Sequence, residues 1–213
     1  MDAPSQLRPR RSYHHGDLHQ ALLEAGIALA REGGPDAVVL REATRRAGVV
    51  PNAAYRHFEN RHALLQAVRS AALSALAVAM ERELGRVRRR TSDAEFARAS
   101  LRAIGTAYMR FALSEPGLFR TAFAVSGPSE TADDPARAGK SGLNPFQLLS
   151  SALDALVDAG MLPPDRRPRA EYLAWSAVHG LSMLVLEGPL QRFTRAQARK
   201  IGQRLLDMVD KGL

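Results

Sequence analysis

Cysteine is absent from the 213 residues of this chain. That excludes a disulfide framework, thiolate catalysis and any cysteine-ligated zinc site. Histidine is scarce and poorly placed for acid–base work, because His179 is the only one beyond residue 62. There is no Ser/His/Asp order at a nucleophile elbow, no phosphate-binding glycine loop and no HExxH pair. The chain is therefore not read as an enzyme. His14, His15 and His19 stand close together, but no acidic or cysteine ligand set accompanies them, so neither a metal site nor a cofactor is assigned. Long hydrophobic runs are missing too. The longest, Tyr172 to Leu186, contains His179 and falls short of the roughly 20 residues a bilayer span needs. Met1 to Arg11 has no apolar stretch of the kind a secretory signal requires. A soluble cytoplasmic protein is expected.

Lysine is nearly absent: Lys140, Lys200 and Lys211 are the three among 30 basic residues. The formal charge is +8 and the pI about 10.7, which invites a nucleic-acid reading. Its distribution argues for restraint. Residues 1–62 carry +2, residues 63–112 carry +5 and residues 113–213 carry +1. Part of the central excess is Arg86, Arg88, Arg89 and Arg90, near the expected C-terminal end of a long helix, where cations interact favourably with the helix dipole.

What is present is a chain of helical signals. Leu18, Leu22, Ala25 and Leu29 recur at helical spacing over residues 17–32, with Asp17 as a candidate N-cap and Gly33-Gly34-Pro35 as the stop. The stretch Leu40 to Arg61, LREATRRAGVVPNAAYRHFENR, then reads as two short helices, about 40–47 and 51–58. Gly48 turns the chain between them, and Pro51 suits a first helical position because its missing N–H has no partner there. This is the grammar of a helix-turn-helix, whose second helix lies in the DNA major groove. Geometry then suggests roles. Asn52 suits an adenine and Arg56 a guanine or a phosphate, while Pro51 and Ala53 offer apolar contact to a thymine methyl.

The segment led by SYHHGDLHQALLEAG (Ser12 to Gly26), and above all Tyr55-Arg56-His57-Phe58 with Asn60-Arg61 and Ala63-Leu64-Leu65, resembles the N-terminal domain of the TetR family of transcriptional regulators. The resemblance covers residues 12–76. It implies that Tyr55 and His57 hold the phosphate backbone, and that Arg41 also reaches the DNA. Arg61 and the first-turn N–H groups beside it stand where a phosphate would bind. Two departures from the family pattern are visible. Val50 replaces the usual Ser or Thr before the recognition helix and is expected to pack, and Ala43-Thr44 alters the usual bulky-small pair. A second resemblance, Ala174-Trp175-Ser176-Ala177-Val178-His179-Gly180, is to the Trp-His-Gly motif of one C-terminal subclass.

Beyond the head, Asn60 caps a helix reaching about Arg88, and Ser92-x-x-Glu95 opens another to about Ser114. Glu115-Pro116-Gly117 breaks that helix, and 118–124 forms a short one. Residues 126–142, rich in Gly, Pro and Ser, are expected to be a mobile loop. Further helices are expected at about 145–159, 169–187 and, from the Thr194-x-x-Gln197 capping box, 194–212. The helix at 169–187 is apolar nearly all round, as a helix buried on two sides would be.

The expected architecture is all-α, with about nine helices. A basic arm (1–13) precedes a three-helix DNA-binding domain (14–76, helix-turn-helix 40–58), followed by a C-terminal ligand-binding and dimerisation domain (77–213). The resemblance implies a homodimer joined through helices 169–187 and 194–212. It also implies a repressor released from a palindromic operator by a small-molecule effector. The alternative is an architectural DNA-binding protein with no effector. Trp175 and His179, one turn apart and sharing a face with Met183, are either a core Trp with a hydrogen-bonded His or part of an effector pocket. That pocket would also draw on Tyr108, Phe111, Phe119 and Phe146.

Overall fold

The computed structural model describes residues 15–88, 92–124 and 134–213. Among these there are nine α-helices and no strand: α1 His15–Gly33, α2 Leu40–Ala47, α3 Pro51–Ala54, α4 Arg61–Leu84, α5 Asp93–Ser114, α6 Pro116–Ala122, α7 Pro145–Asp158, α8 Ala170–Leu186 and α9 Arg195–Gly212. The expected arm, residues 1–13, lies outside the described residues.

Local chemistry accounts for most boundaries. Gly48 closes α2 at φ +68°, a conformation that costs glycine little and other residues more. Asn60 accepts the Ala63 N–H and starts α4. Ser92 accepts the Glu95 N–H. Reciprocal capping boxes open α7 (Asn144 with Gln147) and α9 (Thr194 with Gln197).

Several expected boundaries are corrected. Helix α1 is already under way at His15, so Asp17 stands inside it rather than at its cap. Helix α3 ends at Ala54, four residues before the expected end. Beyond it the Arg56 and His57 N–H groups bond three residues back, to Ala53 and Ala54, and tighten the backbone into a turn. Helix α4 ends at Leu84, and Glu83 draws in Arg86 and Arg110. Pro116 does not merely break α5. It opens α6 directly, because a proline is at home in the first turn.

The largest correction concerns the expected loop. Residues 125–133 lie outside the described residues, but 134–142 form a strap fastened along α4. Ser70 Oγ donates to Asp134, Ser74 Oγ donates to the Ala138 carbonyl, and Glu81 accepts from Lys140 N, Ser141 N and Ser141 Oγ. Burial opposes the ionised Glu81 carboxylate, yet these donors hold its pKa below the ordinary value.

Helix α4 organises the packing. Its 24 residues span about 36 Å and contact α1, α5, α6 and α7. By length and composition it could cross a membrane, but Leu64, Val68, Leu76 and Met80 are buried in a hydrophobic cluster that runs from Leu22 of α1 to Leu206 of α9. Helix α6 is clamped to α1. A Cβ on Gly117 would lie 2.1 Å from the Ala30 carbonyl oxygen and 2.6 Å from that of Arg31, and Arg31 pairs with Glu115 at 3.2 Å across the same junction.

Candidate nucleic-acid interface and internal cavity

The turn after Gly48 brings a set of polar side chains to the surface of the head. Asn52, Tyr55 and Arg56 are exposed, as is Arg41 of α2. Tyr55 is 58% exposed, which sets aside a core role for its ring. Ala53 and His57 are half-buried, Ala54 and Phe58 are buried, and the side chain of Pro51 is outside the description. Phe58 stacks on His19 at 4.7 Å, and the His19 ring lies 6.2 Å from that of His57. His19 is exposed, and its ring lies over that of Phe58 beside the turn.

One sequence expectation changes here. Val50 is 68% exposed rather than packed, which adds an apolar side chain to the surface beside Pro51. Arg61 braces the head: its Nε and Nη2 donate to the Val38 and Pro35 carbonyls, each at 2.8 Å. The side chain stays 47% exposed beside the α1–α2 connection. The altered pair is accommodated as well. Ala43 and Thr44 are buried, and the Thr44 hydroxyl donates to the Arg41 carbonyl at 2.6 Å.

Much of the basic charge on α2 is internally matched. Glu42 receives Arg45 and Arg46, and Arg46 also forks onto Glu32 with two bonds of 2.7 Å. Hydrogen bonds from Arg45 and then Arg46 lower the Glu42 carboxyl to about 2. Arg41 and Arg56 are the exposed cations of the helix-turn-helix outside this cluster.

A cavity of about 520 Å³ opens in the helical body, between α4, α5, α7, α8, α9 and the strap. Three of the expected aromatic residues, Tyr108, Phe146 and Trp175, line it. Phe111, Phe119, His179 and Met183 do not. Phe111 faces a separate depression, and Phe119 is fully buried in the core. His179 stands behind the wall, with its ring packed on Phe123 and Phe119. Its link to the cavity is a relay: Trp175 Nε1 donates to the Tyr108 oxygen at 3.0 Å, and the Tyr108 hydroxyl meets His179 Nδ1 at 2.7 Å. With Tyr108 donating, Nδ1 accepts and the ring proton is assigned to Nε2. Burial raises the Tyr108 phenol and lowers His179, so both are held neutral.

Sequence reasoning missed Phe123, Arg69 and Arg137 in the lining. Arg69 had a signal, since it is the one Asp, Glu, Lys or Arg between His62 and Met80 in an otherwise apolar helix. Arg137 had none, because its place depends on the strap.

Residues 22–68 match the model of bacterial regulatory proteins of the tetR family, and residues 101–209 match that of a tetracyclin repressor-like C-terminal domain. A sequence comparison with curated proteins gave no match. Among solved structures, a protein of unknown function from Rhodococcus sp. RHA1 is 25% identical, with 96% of this chain and 99% of that one aligned and a TM-score of 0.73. The regulator FadR from Bacillus subtilis, in complex with stearoyl-CoA, is 13% identical over 92% of this chain and 99% of its own, with a TM-score of 0.65. A TetR variant from Acinetobacter baumannii AYE, in complex with minocycline, is 19% identical over 91% and 94%, with a TM-score of 0.58. The last two likenesses concern the fold alone.

Proposed function

The chain belongs to the TetR family of bacterial regulatory proteins, and from that premise we propose that it is a dimeric repressor released from a palindromic operator by a small-molecule effector. The observation that carries this reading is the path of α4. The helix begins at the Asn60 cap beside the recognition turn and passes Arg69, Leu73 and Met80 on the cavity wall. A ligand that fits one arrangement of α4 better than another shifts the population of head positions by its differential affinity.

In this reading residues 14–76 form the DNA-binding domain and 77–213 the effector and dimerisation domain. Asn52 and Arg56 read base edges, with Ala53 and Pro51 against thymine methyls. Tyr55, His57 and Arg41 hold phosphates. The surface supports an assembly through α8 and α9: Tyr172, Leu173, Leu184 and Met208 are all exposed, Leu173 by 67%, and a Cβ on Gly180 would meet nothing within 4 Å. Small residues there permit close helix approach to a second copy. Trp175, His179 and Gly180 fit the Trp-His-Gly subclass. The protein would act in the cytoplasm, where its DNA is. The effector-free architectural reading is disfavoured by the cavity, which falls within the roughly 300–1,000 Å³ of ligand sites.

Selection of bound duplexes from a random pool by the full-length protein tests the proposal, together with light scattering for its mass. An enriched inverted repeat and a dimer are expected. A monomer at working concentration, or a pool with no enriched sequence, would sink it.

A further inference from the structure

The cavity wall is apolar over most of its extent, with Leu73, Leu101, Ile104, Phe123, Phe146 and Val178 on it. Its polar side chains are already committed to other parts of the protein. Tyr108 takes Trp175 Nε1 on its oxygen and meets His179 with its hydroxyl. Ser150 Oγ donates to Glu171 at 2.8 Å and accepts from Arg167 Nη2 at 2.9 Å. Asn144 and Gln147 exchange the two bonds of the α7 capping box, each at 2.9 Å. Arg69 Nε donates to the Ala122 carbonyl at 2.9 Å, and Arg137 pairs with Asp134. Arg69, Arg137, Asn144 and Gln147 have further polar or ionic interactions besides these.

We propose that the effector is an uncharged, predominantly apolar molecule, held against this wall by shape and dispersion and carrying no ionised group. This rests on the effector-responsive reading above and names its ligand class. A ligand charge entering here gives up its hydration, and to be met it must draw a wall group away from its present partner. An anion competes with Asp134 for Arg137. Asp134 is well held there: the Ala136 N–H and Ser70 Oγ donate to it, each at 2.9 Å. The Ala136 bond first, then Ser70 and the Arg137 charge, keep its carboxyl below the ordinary range although burial opposes them. A cation meets repulsion from Arg69 and Arg137. An apolar body meets neither cost. It covers side chains of α4, α5, α7 and α8 together, and its dispersion contacts accumulate over many atom pairs. Filling the space in this way favours the arrangement of α4 that fits the ligand's shape.

Trp175 is the single tryptophan of the chain and lines the cavity, so energy transfer from it reports a probe bound nearby. The test titrates the full-length protein with N-phenylnaphthylamine, which is uncharged, and with anilinonaphthalenesulfonate, which adds a sulfonate to the same rings. The bound uncharged probe is then displaced by decanol, decanoate or decylammonium, each below its micelle concentration. The same protein is assayed in parallel for duplex binding. The cost of an unmet charge favours the uncharged probe and decanol over their charged counterparts by about tenfold or more, and the uncharged compounds alone are expected to loosen the operator. Val209→Phe adds bulk to the α9 side of the wall and is expected to weaken the uncharged probe by about tenfold. Leu73→Phe, on the α4 side, replaces it should that variant fail to fold. Charged compounds that bind as tightly as decanol, no binding by either uncharged compound, or undiminished probe binding in the folded variant would overturn the assignment. A protein that binds its operator yet prefers a charged compound would refute this inference alone. One that binds no duplex would refute the regulator reading.

Discussion

Gly117→Ala tests the junction between head and body most sharply. The added methyl would sit 2.1 Å from the Ala30 carbonyl oxygen and 2.6 Å from the Arg31 oxygen. Both are backbone atoms of α1, so no side chain can rotate away, and α6 must separate from α1. Overpacking of this kind costs about 3 kcal/mol, the upper part of its usual range. Alanine is a better helix former than glycine and offsets about 1 kcal/mol. The net loss of about 2 kcal/mol lowers Tm by about 4–8 °C in a chain of this size. Differential scanning calorimetry at fixed protein concentration measures it, with Gly212→Ala as the control, because nothing lies within 4 Å of a Cβ there. A Gly117→Ala protein that melts within about 1 °C of wild type would refute the claim that α6 and α1 are held in fixed contact. The same variant should bind its operator more weakly, since the head would be displaced on the body.

Tyr108→Phe removes the oxygen shared by Trp175 and His179 and should cost about 1–3 kcal/mol, read as a lower urea midpoint at unchanged slope. His179 has a folded pKa depressed by burial. The unfolded chain therefore binds its proton first, and stability is complete above pH about 6.5 and declines as pH falls toward the folded value. Melting curves across that window should show the decline in wild type and lose it in His179→Gln. Glu42 is lowered to about 2, so its contribution is present above pH about 4.5 and fades toward pH 2. Wild type should lose DNA-head structure over that window faster than Glu42→Gln. Leu173→Glu combined with Met208→Glu places charge on two side chains exposed by 67% and 62%. A halved mass by light scattering is expected, and an unchanged mass would remove α8 and α9 from the assembly.

The head was largely legible from sequence, because its signals are local. Gly48 and Asn60 act within four residues, as does Thr194 in the body, and each does in the structure what its type suggests. Errors arose where distant groups decide. Residues 134–142 look like a loop by composition, yet Ser70, Ser74 and Glu81 of α4 hold them in place from more than fifty positions away. The carbonyls of Pro35 and Val38, which accept from Arg61, were likewise invisible in its local sequence. In the body, helical periodicity identified the apolar positions without saying which side of each helix meets the cavity. Phe119, expected at the pocket, is therefore core, whereas Phe123 one turn on, given no role from sequence, lines the space.

Fluorescence anisotropy of a selected operator and a scrambled duplex of equal length, titrated with wild type, Tyr55→Ala and Asn52→Ala, reaches the central claim most directly. Tyr55→Ala should weaken both duplexes alike, whereas Asn52→Ala should lose about 1–3 kcal/mol on the operator and little on the scrambled duplex. Wild-type affinity in both variants would contradict the assignment of residues 51–57 to the DNA.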